Sequence, residues 1–279
     1  MGRARDALKL MIGRVAELAL PELGREIDGV RNTARAPRLK RAILYARLRR
    51  AHALGDIAGM DDALSAFWQG GPGDRFHASF AEERFGVFRE HHAVVIDALA
   101  GLLERSDLRF SRLVEIGCGD GRVLGHCADR LPSISQAVGL DINAAVISRA
   151  AAEHSVDGRL AFANADARDW LTAHPQPGTV MLSNGGVLEY FSQDNVDRLF
   201  RAVALAPPAA IVLIEPASPD HDLNSQAESF AFGHEYSFSH NHRRRLRQAG
   251  FDVVFEEETR VFNARLIMMI GLLDCAATP

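Results

Sequence analysis

The chain has 279 residues, 47% hydrophobic and 24% charged, which is enough for one α/β domain, a smaller accessory element and a substantial core. Its three cysteines, Cys118, Cys127 and Cys275, are too few and too scattered for a disulfide framework, and this fits a reducing cytoplasm. The formal net charge is −4, yet residues 1–52 hold 13 of the 32 Lys and Arg and only five of the 36 Asp and Glu; the basic residues are spread along a helical pattern, which reads as solvated helix faces docked on an acidic body more than as a nucleic-acid or membrane contact.

Residues 1–108 read as helical. Leu8, Ile12, Val15 and Leu18 recur at three- and four-residue steps until Pro21 ends the run. Pro37 opens a second helix carrying Leu39, Ile43, Leu44 and Leu48. A third helix, near Asp61 to Trp68, stops at the breaker cluster Gln69-Gly70-Gly71-Pro72-Gly73, and a longer one runs from about Ser79 to Glu104. From Arg109 the pattern changes. β-rich runs at Leu113–Ile116, Ala137–Leu140, Leu160–Ala163, Thr179–Leu182 and Ala210–Ile214 alternate with helical stretches, which predicts βαβ units and a parallel sheet. Phe251–Glu256 and Ala264–Leu272 are joined by a short polar connection with no room for a crossover helix, so they predict an antiparallel hairpin at the sheet edge. The longest apolar stretch, Leu266 to Leu273, is far below the roughly 20 residues that a membrane span needs. The Arg-rich start lacks the apolar segment and small-residue cleavage site of a secretory signal. The expected fold is a doubly wound α/β domain over 109–279. Its seven-stranded sheet is mostly parallel and carries a C-terminal antiparallel hairpin. A helical N-terminal region, 1–108, would serve as a lid or as the contact of a homodimer.

The segment from Leu113 to Gly121 carries the chemistry. A buried strand, Leu113-Val-Glu-Ile116, runs into a turn holding Gly117, Gly119 and Gly121. Glycines permit positive φ there and remove the Cβ atoms that would keep a ligand off the backbone, and ligands on such sheets sit at the carboxyl ends of the strands. The spacing is Gly-x-Gly-x-Gly, with Glu115 two residues before the first glycine. A dinucleotide fingerprint would place its third glycine at Arg122. Asp141 closes the next strand, where a carboxylate can accept hydrogen bonds from both hydroxyls of a ribose. Asp166 ends the strand after that and can accept from an adenine amino group.

Taken together, Glu115-Ile-Gly-Cys-Gly-Asp-Gly121, Gly139-Leu-Asp-Ile142, Asn164-Ala-Asp-Ala167 and Val180-Met-Leu-Ser-Asn-Gly185 resemble the class I S-adenosylmethionine-dependent methyltransferases, of the kind acting on small molecules. The resemblance covers roughly 110–273. It implies that Glu115, Gly117, Gly119 and Gly121, with Cys118 between them, hold the methionine portion of S-adenosylmethionine. Glu115 would act through water or backbone. Asp141 would bind the ribose, Ile142 would pack on the adenine, and Asp166 with Ala167 would mark its amino edge. Ser183 and Asn184 would lie beside the reactive methyl group. The implied activity is methyl transfer to an O or N atom of a small metabolite, with secondary metabolism as one setting.

The acceptor is less legible. No Asn/Asp-Pro-Pro-aromatic run follows the fourth strand, as it does in amino-methylating nucleic-acid enzymes of the family. Residues 217–239 form a polar stretch too long for a minimal connection; it holds His234 and Tyr236 and leads into His240. As a lid, it would let His234 or His240 take the acceptor's proton while Tyr236 orients the acceptor. Ser239 would cap the following helix. The i, i+2 spacing of His240 and His242 would keep their rings apart and argues against a metal. Glu189-Tyr190-Phe191 could also reach the acceptor, and Trp68, Phe76, His77 and Phe80 could close the pocket from above. Three other readings stay open: an RNA methyltransferase using the basic N-terminus, an NAD(P)-dependent oxidoreductase, and a non-catalytic interaction protein that keeps the cofactor fold.

Overall fold

The computed structural model describes residues 2–27, 37–105, 107–233, 235–261 and 264–274; the side chains of residues 2–4, 72 and 76–78 lie outside that description. Ahead of the first strand run α1 (Gly2–Ala19), α2 (Pro21–Ile27), α3 (Pro37–Ala53), α4 (Ile57–Gln69), α5 (Gly71–Val87) and α6 (Ala93–Arg105), with a π-helical turn, Phe88–His92, between the last two. Two breaks are milder than the sequence suggests. Pro21 ends α1 but also opens α2, because a first-turn proline lacks only an N–H that has no intrahelical partner. The Gly-Pro cluster interrupts the chain at one residue, Gly70 (φ −93°, ψ −173°), and α5 resumes with a proline in its first turn, well ahead of Ser79. The side chain of Asp56 caps α4 by accepting from the Gly59 N–H at 2.9 Å.

The alternating part follows as β1 (Arg112–Ile116), α7 (Arg122–Arg130), β2 (Gln136–Asp141), α8 (Ala144–Glu153), β3 (Leu160–Asn164), α9 (Ala167–Ala173), β4 (Thr179–Asn184), α10 (Gln193–Val203) and β5 (Ala209–Ala217). It ends with β6 (Phe230–Phe232), β7 (Ser237–Ser239), α11 (His242–Gln248), β8 (Asp252–Val261) and β9 (Ala264–Leu273). The main sheet has seven strands in the order β3-β2-β1-β4-β5-β9-β8. The first five are parallel, β9 is antiparallel to β5, and β8 pairs with β9 as the terminal hairpin. β6 and β7 form a small separate hairpin that sequence patterning did not signal.

The central strands read as unbroken apolar runs because helices cover both faces; Ala209 to Ile214 of β5 are wholly buried. On one face α10 packs Val196, Leu199 and Phe200 against the sheet. On the other, Val95, Ile96 and Leu99 of α6 share a core with Leu113, Val180 and Val212. Helix α6 is therefore a sheet-covering helix, whereas α1, α3 and α4 pack mainly among themselves. The outermost strand, β8, presents Glu256, Glu257 and Glu258 and carries a bulge between Val253 and Phe255, both of which discourage edge-to-edge pairing. Strand order reverses between β1 and β4, and the register aligns Ile116 with Leu140 and Ser183, and Asp141 with Asn164. A crevice must open at this edge, outside the carboxyl ends of β1, β2 and β4.

Candidate functional site

The turn after β1 is held left-handed at Gly117 (φ 62°), Gly119 (φ 55°) and Gly121 (φ 78°). Crowding adds to the conformational demand: a Cβ on Gly117 would come within 2.6 Å of Val187 Cγ2, and one on Gly121 within 2.6 Å of the Phe162 ring. Asp141, 6% exposed, locks this turn to the next one. Its Oδ2 accepts from the Gly119 N–H at 3.2 Å and its Oδ1 from the Asn143 N–H at 2.9 Å. Asn143 in turn caps α8, accepting from the N–H groups of Ala145 and Val146. Asp166 caps α9 through the Arg168 N–H at 2.8 Å and takes both arms of the Arg168 guanidinium, at 2.9 and 2.5 Å. Burial works to raise the pKa of Asp166, but Arg168 and the cap outweigh it and hold the carboxyl below its ordinary value.

Two adjoining spaces result. The first pocket has Gly117, Asp141, Ile142, Asp166 and Ala167 on its sheet side, and Leu64, Trp68, Arg84, Tyr190 and Phe191 opposite. The second is a recess lined by Glu115, Cys118, Gly119, Asp120 and Asn184, with Arg84 and Gly117 common to both spaces. Glu115 is 3% exposed, and its Oε2 has no hydrogen-bond partner among the described residues. Burial, reinforced by Asp120, pushes its carboxyl well above the usual range. Burial likewise raises the Cys118 thiol, which favours its protonated form. Arg84, carried by α5, donates from Nη2 to the Gly185 carbonyl at 3.1 Å. Burial lowers its pKa, opposed by Tyr190, Asp120 and Glu115.

The loop after β4 is fixed from beneath. Glu215, wholly buried, accepts from the Ser183 hydroxyl and from the N–H groups of Val187 (3.3 Å) and Leu188 (3.1 Å). Burial pushes its pKa up to about 7 despite these bonds. Glu189, in a 3-10 turn over Leu188–Tyr190, accepts from Ser237 Oγ at 2.5 Å, and burial pushes it up to about 8. A Cβ on Gly186, which lines the first pocket, would meet Glu189 Oε1 at 2.4 Å. The Tyr190 hydroxyl donates to Glu235 at 2.6 Å, and its ring lies 4.9 Å from that of Trp68, centroid to centroid.

Most of the residues singled out in the sequence thus meet along one edge: Glu115, Gly117, Cys118, Gly119 and Asn184 around the recess, and Asp141, Ile142, Asp166 and Ala167 around the pocket. Others do not. Gly121 lies behind the turn as the residue preceding α7. Ser183 is fully buried and turned toward Glu215, so it lines neither space. His240 is 1% exposed and both its ring nitrogens are engaged: Nε2 donates to the Leu188 carbonyl at 3.0 Å, which leaves Nδ1 to accept from Ser229 Oγ at 2.7 Å. Burial lowers its pKa to about 4. It is a packed, neutral histidine with no lone pair to spare for an acceptor. Tyr236 points away into a cluster with Tyr45, its hydroxyl 2.6 Å from His52 Nδ1. His234 lies outside the described residues, as do the side chains of Phe76 and His77. Phe80, 44% exposed, lines neither space. Ser239 accepts from the Ser218 N–H, and α11 is capped by Asn241 instead. Since His240 precedes that helix, its ring lies only 5.4 Å from His242, not apart from it. Arg84, Asn143 and Leu64 were not anticipated; their roles depend on contacts far away in sequence.

Residues 113–206 match a family model described as a methyltransferase domain. Over 120 residues the chain is 34% identical to a trans-aconitate 2-methyltransferase of Streptomyces avermitilis, a stretch that covers 40% of this chain and 43% of that protein. The match therefore spans less than half the length of that curated relative. Among solved structures, magnesium protoporphyrin IX methyltransferase of Synechocystis, with S-adenosylmethionine bound, has a TM-score of 0.53 at 15% identity, covering 77% of this chain and 97% of that one. A Leishmania major S-adenosylmethionine-dependent methyltransferase has a TM-score of 0.55 at 18% identity, covering 76% of this chain and 83% of that one. At these identities the likeness is one of fold. No helix among the described residues is long and apolar enough to cross a membrane.

Proposed function

Since residues 113–206 match a family model described as a methyltransferase domain, we propose that the chain is a class I S-adenosylmethionine-dependent methyltransferase that methylates an O or N atom of a small organic metabolite. The observation that carries this reading is the joining of an acidic recess and a two-carboxylate pocket through one glycine turn, within the matched residues. The lining fits the cofactor in kind. The unpartnered Oε2 of Glu115 would receive the ammonium of the methionine portion, and Arg84 at the recess mouth its carboxylate. Asp141 lines the pocket with a carboxylate, the acceptor group that two ribose hydroxyls require. Ile142 and Ala167 would flank the adenine. Asp166 would take its amino group on the lone pairs that Arg168 leaves.

When bound, S-adenosylmethionine supplies a methyl group already activated by positive sulfur. The chain's own task is then to align the acceptor and exclude water. Trp68, Tyr190 and Phe191 are placed on the pocket to do so. A strong base is not required where the acceptor atom carries little proton affinity to overcome. The test is calorimetric titration of the full chain with S-adenosylhomocysteine and, in parallel, with NADH. Binding of the first and not of the second is expected. The reverse result would overturn the assignment in favour of an oxidoreductase.

A further inference from the structure

A chamber adjoins the first pocket on the side of the N-terminal helices. It opens between α1, α3 and α4 and shares Leu64, Trp68 and Tyr190 with that pocket. The Trp68 and Tyr190 rings, inclined at 56°, form the partition between the two spaces. No glycine of the β1 turn and no residue of the main sheet lines the chamber, so it is distinct from the space assigned to S-adenosylmethionine. Its walls are Leu8, Ile12, Leu39, Leu44, Tyr45 and Phe67. Two of these, Leu8 at 52% and Ile12 at 39%, leave large apolar surface exposed.

The rim has the opposite character. Arg5, Lys9, Arg38 and Arg41 face two carboxylates, Asp6 and Glu235. Glu235 is already engaged by the Tyr190 hydroxyl. Arg5, Arg38 and Arg41 are exposed and make no ion pair among the described residues. Exposed apolar surface carries a cost of about 25 cal/mol per Å²; along α1 it continues past the chamber at Met11, Val15 and Leu18, and only Leu8 and Ile12 of that face line the chamber with its aromatic floor. A nucleic-acid surface would spread its cations along an outward-facing stripe. Here they ring a recess that closes at Trp68 and Tyr190. Cationic rim, apolar walls and a partition against the donor pocket together describe a site for one amphipathic anion.

We propose that this chamber binds the body of the methyl acceptor, and that the acceptor is an organic acid with an apolar, ring-sized body whose carboxylate is held by Arg38 and Arg41. The word acceptor rests on the methyltransferase reading; the binding chemistry does not. The probe is 2-naphthoate, compared with its neutral isostere 2-naphthamide, each titrated by calorimetry into the full chain with and without saturating S-adenosylhomocysteine. Naphthoate should bind at least about tenfold more tightly than the amide. The double variant R38Q/R41Q, altered only at exposed positions, should lose that preference while keeping the amide affinity, the S-adenosylhomocysteine affinity and the thermal midpoint of the parent. Equal affinity for the two probes, no binding of either, or an undiminished preference in the double variant would overturn the proposal. Displacement of naphthoate by a short RNA at low salt would also overturn it, and would reassign the cations to nucleic acid. Failure of S-adenosylhomocysteine to bind refutes the donor assignment alone, since the chamber is judged by the two probes.

Discussion

Replacing Asp141 separates two jobs that the structure gives to one side chain. Its two oxygens receive the N–H groups of Gly119 and Asn143, at 3.2 and 2.9 Å, in a site 6% exposed. In Asp141→Ala both N–H groups lose a charged acceptor. Hydrogen bonds to charged groups contribute about 1.5–3 kcal/mol each, and the longer one belongs at the low end, so a loss of about 3–4 kcal/mol is expected. For a chain of this size that lowers the thermal midpoint by roughly 6–16 °C. Binding should fall separately. Two ribose hydroxyls lose charge-assisted partners, at about 1.5 kcal/mol or more each, which weakens S-adenosylhomocysteine by at least about a hundredfold. The assay is calorimetry at a temperature well below the variant's own midpoint, so that the folded fraction is not limiting, with the midpoint measured by circular dichroism. Asp141→Asn is the finer probe. One carboxamide oxygen can still serve one N–H, but the NH₂ must then face the other, so its stability should fall between parent and Ala variant. An Asp141→Ala protein that binds S-adenosylhomocysteine within about threefold of the parent would refute the placement of the ribose.

Three more outcomes follow from the same geometry. Arg84→Met should weaken S-adenosylhomocysteine about tenfold or more and free adenosine by clearly less, because Arg84 borders the first pocket but is the cation of the recess assigned to the methionine carboxylate; equal losses for both ligands would refute that assignment. The folded protein holds a proton on Glu189 up to about pH 8, whereas the unfolded chain releases it near 4.5. Unfolding therefore releases a proton between these values, and stability falls as pH rises through that window. Glu215, pushed up to about 7, acts in the same direction. Thermal melts across the window should show a shallower decline in Glu189→Gln than in the parent, and parallel declines would refute the burial of this carboxyl. His240→Ala should lower the thermal midpoint by a few degrees, since it leaves the Ser229 hydroxyl without this partner at about 1–3 kcal/mol while the Leu188 carbonyl keeps its bond from the Phe191 N–H. The shape of its pH–rate profile for methyl transfer should match the parent's, and loss of a basic limb would restore a proton-accepting role to this ring.

The strands were readable because burial on both faces leaves an unambiguous signature. β5 is apolar from Ala209 to Ile214 with no polar residue to confuse helix with strand. Asp141 and Asp166 were readable for a related reason: a carboxylate that follows a buried strand has nowhere to go but the strand-end crevice. The histidine-rich segment misled because its polarity suggested exposure. In the fold its polar stretch from Asn224 to Gln226 does stay exposed, but His221 and His240 are buried with partners of their own, Ser239 and Ser229. Arg84 gave no signal, being one of many arginines in a basic N-terminal half. Asn143 carried a local signal for capping α8, but not for the second use of its amide.

That second use shows why the N-terminal helices are part of the site rather than a cover laid over it. The carbonyl of Trp68, in the last turn of α4, has no intrahelical partner, and Asn143 Nδ2 donates to it at 3.2 Å and, at 3.3 Å, to the Gly70 carbonyl that also opens α5. At the start of α10 the side chain of Ser192 makes no cap, and Asp61 of α4 braces that end instead, accepting from the Ser192 N–H at 2.7 Å and from the side-chain Nδ2 of Asn195 at 2.6 Å. Arg84 closes a third link on the Gly185 carbonyl. Each link satisfies a backbone group that a free α/β domain, or a free helical region, would leave to water. Asn143 lies two residues beyond Asp141 and is bonded to it through its own N–H. Trp68 and Tyr190, which partition the two chambers, are thereby held in register with the carboxylate assigned to the ribose. Ordering of one side of the site carries over to the other through three residues of backbone, and by linkage the effect must run equally in both directions.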